Sequence, residues 1–299
     1  MSRVAQGILW VFCGVFAAGQ VGLEARANGE ASRIQVQGHR GARGHRPENT
    51  IPAFDYALEV GADVLELDLG VTQDHQVVIG HDPFLNPQIC LDRDGKPLTS
   101  KVQLSKLSLA ELKEFDCGTL KHPRFPKQQP VPGTSMPTLD ELFQFLAQSS
   151  RPEAATVRLN IELKVEPEHP EWTVDRRLFV ELVVELISNY GMRNRVNLQS
   201  FDFETLLRVR ELDPTLEMAY LTETANEDRV ARALACGANI LSPDFDLLSA
   251  DEVDRARKAG LKVIPWTLNQ ESEWERAVAL DLDGIITDYP AELLKFLGR

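Results

Sequence analysis

The feature that most constrains this chain is a rhythm. After Ala31, short β-branched runs alternate with longer stretches of helical period, the signature of parallel βαβ construction. Eight such units can be counted. The predicted strands are Ile34 to Gly38, Val64 to Leu69, Leu159 to Lys164, Val196 to Ser200, Leu216 to Leu221, Asn239 to Ser242, Lys262 to Pro265 and Gly284 to Thr287, each followed by a helical pattern. The first helix carries start and stop signals: Asn49 or Thr50 as cap, Pro52 in the opening turn, Phe54, Ala57 and Leu58 on one face, and Gly61 at the end. Eight βα units predict an α/β fold, a TIM (β/α)8 barrel. Such barrels commonly take about 250 residues as one domain, so 32–299 suffices for it in a 299-residue chain that is 43% hydrophobic.

Two stretches break the rhythm. From Pro83 to Gly133 seven prolines interrupt any long element, and this segment reads as a small inserted lobe after the second strand. Within it Leu104, Leu107, Leu109, Leu112 and Phe115 predict a short helix or two that partly cover a site. The second break, Glu166 to Glu171, is a brief polar loop after the third predicted strand.

The first 27 residues read as a signal peptide: Arg3 in a short polar start, an apolar run from Ile8 to Ala18, then Ala25-Arg26-Ala27 as small residues for cleavage. The run is shorter than the roughly 20 residues needed to span a bilayer, and Cys13 has no lipoprotein box around it. A secreted or periplasmic address follows, with no stable membrane span. Cys90, Cys117 and Cys236 remain after cleavage. The first two share the inserted lobe and are the candidate disulfide, whereas Cys236 follows an apolar helical pattern and reads as a small buried hydrophobe.

A formal net charge of −13 with no Lys/Arg cluster disfavours nucleic acid. A small anionic substrate needs only a locally positive site. Neither a GxxxxGK[ST] nor a GxSxG string occurs, so NTP hydrolysis and serine-esterase chemistry fit poorly.

In a barrel of this kind functional groups collect at the carboxyl ends of the strands. Glu66 and Asp68, two apart on a strand, point to the same inward face, where unpaired charge is costly. Glu162 on the neighbouring strand makes a third carboxylate, and three oxygen donors suit a hard divalent cation, Ca²⁺ or Mg²⁺. The alternative for these acids is a set of structural ion pairs with Arg40 and Lys164. His39 and His81 are the candidates for proton transfer, with Asp82 placed to orient His81. Arg40 and Lys164 suit the non-bridging oxygens of a phosphate diester, and Trp266 offers a flat wall for an alcohol moiety or a plug for the barrel mouth. His45, His75, His122 and His169 sit in loops; His45 is the best placed of them.

These residues, in order, resemble the glycerophosphodiester phosphodiesterase family: His39-Arg40-Gly41, Pro47-Glu48-Asn49-Thr50, Gly61-Ala62-Asp63, Glu66-Leu67-Asp68, Thr72, Asp74, His81-Asp82, Pro137-Thr138-Leu139, Glu162-Leu163-Lys164, Trp266-Thr267-Leu268-Asn269 and Gly284-Ile285-Ile286-Thr287-Asp288. The resemblance covers about 34–297. It implies a TIM barrel with a lobe after the second strand, a cation on Glu66, Asp68 and Glu162, His39 and His81 as general acid and base, and a phosphate held by Arg40 with Lys164 nearby. The implied reaction is hydrolysis of a glycerophosphodiester to an alcohol and sn-glycerol 3-phosphate, by attack of the glycerol's own hydroxyl or of water. His75 and Gly80 stand where the family pattern has a Gly and a larger apolar residue, which bears on the local turn. Two other readings fit the same residues: a lysophospholipase D-like enzyme, disfavoured by the Pro-Glu-Asn-Thr element and the lobe, and a non-catalytic glycerophosphate-binding barrel, disfavoured by the intact histidines and acids.

Overall fold

The predicted strands form, with shifted ends and one addition. The computed structural model describes residues 33–299, and Ile34–Arg299 is one compact unit; the predicted leader lies outside the described residues. Strands β1 (Gln35–Gly38), β2 (Val64–Val71), β3 (Val77–Ile79), β4 (Arg158–Leu163), β5 (Val196–Ser200), β6 (Glu217–Thr222), β7 (Ile240–Pro243), β8 (Lys262–Val263) and β9 (Gly284–Thr287) make one sheet. All but β3 pair parallel, in the order β8-β7-β6-β5-β4-β2-β1-β9. Backbone hydrogen bonds from Asp283 N to Val263 O (3.1 Å) and from Ile286 N to Pro265 O (3.1 Å) close the cylinder. The seventh predicted strand, Lys262 to Pro265, yields a ladder only at Lys262–Val263, because Pro265 has no N–H to donate.

The addition is β3, which the count of eight omits. It pairs antiparallel with β2, Leu69 opposite Ile79, and so extends β2 to Val71. Glu66 and Asp68 therefore lie inside the strand and not at its end. His75, at the hairpin turn, has φ 59, the left-handed conformation in which a glycine would be unstrained. The turn geometry survives the substitution. At Gly80 a Cβ would lie 2.5 Å from the Met136 Cε, so Met136 occupies the space of a larger residue there.

Helix α1 (Ile51–Val60) is capped by Thr50, whose side chain accepts from Ala53 N, and ends at Gly61 with φ 86. The lobe holds a 3-10 turn at Leu104–Lys106 and the short helix α2 (Leu109–Leu112). It has its own apolar cluster, Val78, Leu85, Leu104, Leu112 and Phe115 with Cys90 and Cys117, and the two cysteines are disulfide-bonded. Cys236 is free and buried. Helix α3 (Leu139–Gln148), opened by a Thr138 capping box, brings the chain back to the barrel. Helices α4 (Arg176–Asn189) and α5 (Phe203–Leu212) follow β4 and β5, and four more complete the described residues. No helix among the described residues is long and apolar enough to cross a membrane.

The barrel interior is divided. Under β6 to β9 it is apolar, with Ala219, Ile240, Ile264 and Ile286 packed beneath Trp266. Under β1 to β5 it is polar: Asn160 donates to Gln37 Oε1 (2.9 Å) and Gln199 Oε1 (3.0 Å), and Asn197 donates to Asn160 Oδ1. That amide layer is the floor on which the acids stand.

Candidate active site

The turn after β1 begins the site. A Cβ at Gly38 would meet the Gly41 carbonyl oxygen at 2.0 Å, and Gly41 has φ 83, so the chain reverses where only glycine fits. Arg40 is carried through at φ 50, a conformation that costs an L-residue roughly 1–2 kcal/mol. The reversal aims the Arg40 backbone N–H at Glu66 Oε2 (2.8 Å). The guanidinium donates to Glu48 Oε1 (2.6 Å) and lies 3.3 Å from Asp68 Oδ2 through Nε, which is buried with no hydrogen-bond partner. Asn49, also left-handed at φ 56, donates to Asp68 Oδ2 (2.8 Å).

The three acids converge. Asp68 and Glu162 are register partners across β2 and β4, and Glu66 lies one inward position below. Their exposures are 2%, 1% and 6% for Glu66, Asp68 and Glu162, and one oxygen from each lies within 4.8 Å of the others. Gln199 donates to Glu66 Oε1 (2.9 Å), and Lys164 pairs with Glu162 Oε1 (3.0 Å). Both predicted ion pairs thus exist. They do not balance the trio, because Arg40 is shared with Glu48. Burial, then the adjacent Asp68, pushes the Glu66 carboxyl well up; burial pushes Glu162 up to about 7 against the pull of Lys164. Burial opposes ionisation of Asp68 too, but Arg40, His81 and Lys164 outweigh it and hold that carboxyl well below the usual range. Three hard oxygen donors carrying surplus charge can hold a divalent cation.

The two histidines flank the trio. His39 Nδ1 lies 2.7 Å from Asp288 Oδ1, and its Nε2 faces Glu66 Oε2 at 4.0 Å. Asp288 also accepts from Arg43 Nε (2.5 Å) and Asn269 Nδ2 (2.8 Å). Burial, with Arg43, lowers the His39 imidazole to about 4. On the other side His81 Nδ1 meets Asp82 Oδ1 (2.7 Å), and its Nε2 lies 3.2 Å from Lys164 Nζ.

All eight predicted site residues line a single cavity of about 1120 Å³ at the carboxyl mouth of the barrel. Trp266 packs on the apolar interior cluster, as a plug would, and also borders the cavity, with Nε1 tied to Ser242 O (3.1 Å). Among the remaining histidines the expectation for His45 fails. It stacks on Tyr56 and pairs with Glu292 (3.2 Å) outside the cavity, whereas His169 borders it. Sequence reasoning gave no site role to Asp288, Arg43, Asn269, Glu48 or Asn49; Asn49 figured only as an alternative cap for α1, a place that Thr50 takes. A signal for Asp288 existed: in a closed barrel the last strand lies beside the first, so with Gly38 opposite Thr287 the next residues, His39 and Asp288, are neighbours.

Comparison with known proteins gives concordant matches. The model of the glycerophosphoryl diester phosphodiesterase family matches residues 39–292. A glycerophosphodiester phosphodiesterase of Caldanaerobacter subterraneus subsp. tengcongensis (strain DSM 15242 / JCM 11007 / NBRC 100824 / MB4) is 29% identical over 88% of this chain and 98% of its own. A crystal structure from Silicibacter pomeroyi DSS-3 that carries the family's name superposes with a TM-score of 0.84 at 30% identity, over 90% of this chain and 94% of that one. An Oleispira antarctica phosphodiesterase solved with the product sn-glycerol-3-phosphate shares the fold, with a TM-score of 0.73 at 24% identity over 89% and 97%.

Proposed function

Because the chain belongs to the glycerophosphoryl diester phosphodiesterase family, we propose that it hydrolyses glycerophosphodiesters to an alcohol and sn-glycerol 3-phosphate in this cavity. Glu66, Asp68 and Glu162 hold the divalent cation, Ca²⁺ or Mg²⁺. The observation that carries the reading is the buried carboxylate trio, whose charge its protein partners leave uncompensated. A cation bound there supplies Lewis acidity against the negative charge that grows on the phosphoryl oxygens.

The protein's own groups do the rest. Arg40 Nε, buried and without a hydrogen-bond partner, is a donor for a non-bridging phosphate oxygen. Lys164 adds a point charge beside it. His39 is neutral at physiological pH, and the bond from Nδ1 to Asp288 leaves the Nε2 lone pair facing the trio, where it takes the proton of the attacking hydroxyl, from glycerol or water. His81, with its side chain 31% exposed, delivers a proton from Nε2 to the departing alcohol oxygen; where the glycerol's own hydroxyl has attacked, that step leaves a cyclic phosphodiester, which water then opens to sn-glycerol 3-phosphate with the roles of the two histidines exchanged. Trp266 forms a wall for the organic part of the substrate. We further propose export across the membrane, consistent with the apolar leader and with a Cys90–Cys117 disulfide of the kind that persists in oxidising compartments.

The test is release of sn-glycerol 3-phosphate from a panel of glycerophosphodiesters, with lysophosphatidylcholine alongside, in the presence and absence of a chelator. Release that is lost on chelation and restored by Ca²⁺ or Mg²⁺ is the expected result. No release with any divalent ion, or release that persists undiminished under chelation, overturns the proposal.

A further inference from the structure

His81 and Lys164 come from different parts of the chain, and their contact at 3.2 Å joins two segments that leave the sheet separately. His81 heads the lobe, where the chain runs on through Asp82 and Pro83 to Phe84. Lys164 heads the connection from β4 to α4, residues 165–175, in which Glu166, Pro167, Glu168, His169, Pro170 and Glu171 precede Trp172, its largest apolar side chain. A connection this polar runs over the surface and moves unless something pins it. Here it is pinned to the lobe.

The pin is Trp172. Its ring meets Phe84 edge-on, with centroids 5.1 Å apart and planes at 74°, an arrangement that aromatic pairs favour. Lys101 Nζ lies beside both rings, 5.1 Å from the Phe84 centroid and 5.9 Å from that of Trp172. The lobe holds the backbone as well: Gln103 Nε2 donates to the Glu171 carbonyl (2.8 Å) and Ser105 Oγ to the Trp172 carbonyl (3.0 Å). Phe84 and Gln103 are themselves antiparallel bridge partners, so ring and amide together receive the 3-10 turn Pro170–Trp172. His169 also stacks on the indole, at 3.8 Å and 9°.

Two spaces lie on either side of this pin. A void of about 20 Å³ is bordered by His81, Lys164, Leu104 and Trp172. An open groove of about 570 Å³ is bordered by Phe84, Leu98, Lys101 and Trp172. Trp172, Asp82, Pro83 and Glu166 border both and form the wall between them. Shortening the indole breaches that wall and frees the segment that carries Lys164 from the one that carries His81.

We propose that Trp172, seated on Phe84, is a positioning residue for the protonation of the leaving group: it latches the connection after β4 onto the lobe and so fixes where His81 stands. The inference rests on the phosphodiesterase reading and adds to it the contact that assembles one of the two histidines. Neither ring touches the reacting atoms. His81 acts on one atom of the substrate, so the latch has a selective signature. An alkyl alcohol leaves readily only when a proton reaches its oxygen, whereas a nitrophenolate leaves without one; a misplaced acid therefore slows the first and spares the second. General damage to the cavity slows both.

The experiment measures kcat/KM, with divalent ion present, for the fastest alkyl glycerophosphodiester of the panel above and for glycerol 4-nitrophenyl phosphate. It uses the full chain as wild type, W172A, F84A, the double variant, W172F and His81→Ala, with thermal denaturation reporting folding. W172A and F84A should each lower the alkyl value at least about fivefold and the aryl value less than about twofold. The double variant should fall no further than about twofold below the worse single, because each single already opens the latch. W172F keeps a ring against Phe84 and should stay within about twofold of wild type on both diesters. His81→Ala should show the same selectivity with a larger alkyl loss. An undiminished alkyl value in W172A, equal losses on the two diesters, or a double variant that falls by the product of the singles overturns the latch and leaves the phosphodiesterase reading standing. Equal losses on the two diesters in His81→Ala overturn the acid assignment and the latch with it. Hydrolysis of neither diester by the wild type overturns the phosphodiesterase reading itself. Should W172A fail to fold, the variant Q103A/S105A cuts only the two polar ties and is held to the same criteria.

Discussion

The two sides of the barrel mouth carry the same side chain in different settings. His39 sits where the last strand meets the first, with its side chain 12% exposed and bonded to an Asp288 that is itself fixed by Arg43 and Asn269. His81 sits at the root of the inserted lobe, more open to water, bonded to an Asp82 that is half exposed and has no other side-chain partner than His81 among the described residues. The difference teaches what barrel closure contributes. A strand-borne imidazole inherits a fixed orientation and a depressed pKa from a buried network, while a lobe-borne one keeps solvent contact and can exchange protons with bulk water.

Removing what the two sides share gives the largest expected effect. Glu66→Gln combined with Asp68→Asn should take turnover below detection and abolish divalent-ion binding by calorimetry, and full turnover in that double variant would refute the metal assignment. Next come the imidazoles. His39→Ala and His81→Ala should each lower kcat by at least about 100-fold with the fold intact by circular dichroism; if neither slows the reaction, the proton-transfer pair is wrong.

The orienting carboxylates sharpen the contrast. Asp288→Asn should lower kcat by about 10–100-fold, the usual range for a lost carboxylate behind a functional imidazole, because nothing else can fix the ring. Asp82→Asn, where water can substitute, should cost no more than about threefold. Equal losses would mean that the asymmetry between the two sides has no functional weight.

A smaller effect comes from pH. The ion-free protein keeps Glu162 up at about 7, above its ordinary value of 4.5, so this carboxyl's contribution to folding is fully present below about 4.5 and is lost as pH rises through 7. Ion binding requires the deprotonated form. Apparent affinity should therefore fall by up to about tenfold per unit for each proton released as pH drops below 7, and the gap in Tm between loaded and ion-free protein should widen from pH 5 to 7, with Glu66, also pushed up, able to add to it above that window. A gap that does not change across that window would show that Glu162 releases no proton to the ion.

How much of this was legible in the sequence follows the same division. The periodicity of eight strands with their caps carried the barrel, and alternation along a strand carried Glu66 and Asp68 to one face, because both signals are local. An apolar, strand-like run at Val77–Ile79 is legible in the sequence, but three residues are too few to show which strand they pair with, so the antiparallel hairpin with β2, and with it the true end of β2, escaped. Asp288, Arg43 and Asn269 escaped for a different reason: their bonds to one another and to His39 span up to 249 positions, and only the closed cylinder makes them neighbours. His45, ranked first among the loop histidines, lies outside the cavity because Tyr56 and Glu292 hold its ring there, contacts that no local pattern shows.

The lobe itself offers the mildest test. Its small core is reinforced by the Cys90–Cys117 bond across a separation of 27 residues, and closing a loop of that length is worth about 3.5 kcal/mol in the chain-entropy account. Cys90→Ser with Cys117→Ser should therefore loosen the lobe, read as faster amide exchange in 83–133, while the barrel strands keep their protection. Gln128 hydrogen-bonds the backbone carbonyls of Arg43 (2.8 Å) and Arg46 (3.1 Å), so the lobe also braces the turn that carries His39. That brace is redundant with Asp288, whereas His81, at the root of the lobe, leans on the half-exposed Asp82 and on Lys164 at 3.2 Å. A loosened lobe should then lower kcat only a few-fold and act through the His81 side: the loss should shrink in an Asp82→Asn background and stay in full in Asp288→Asn. The reverse pattern would place the lobe's influence on His39 and erase the contrast between the two sides.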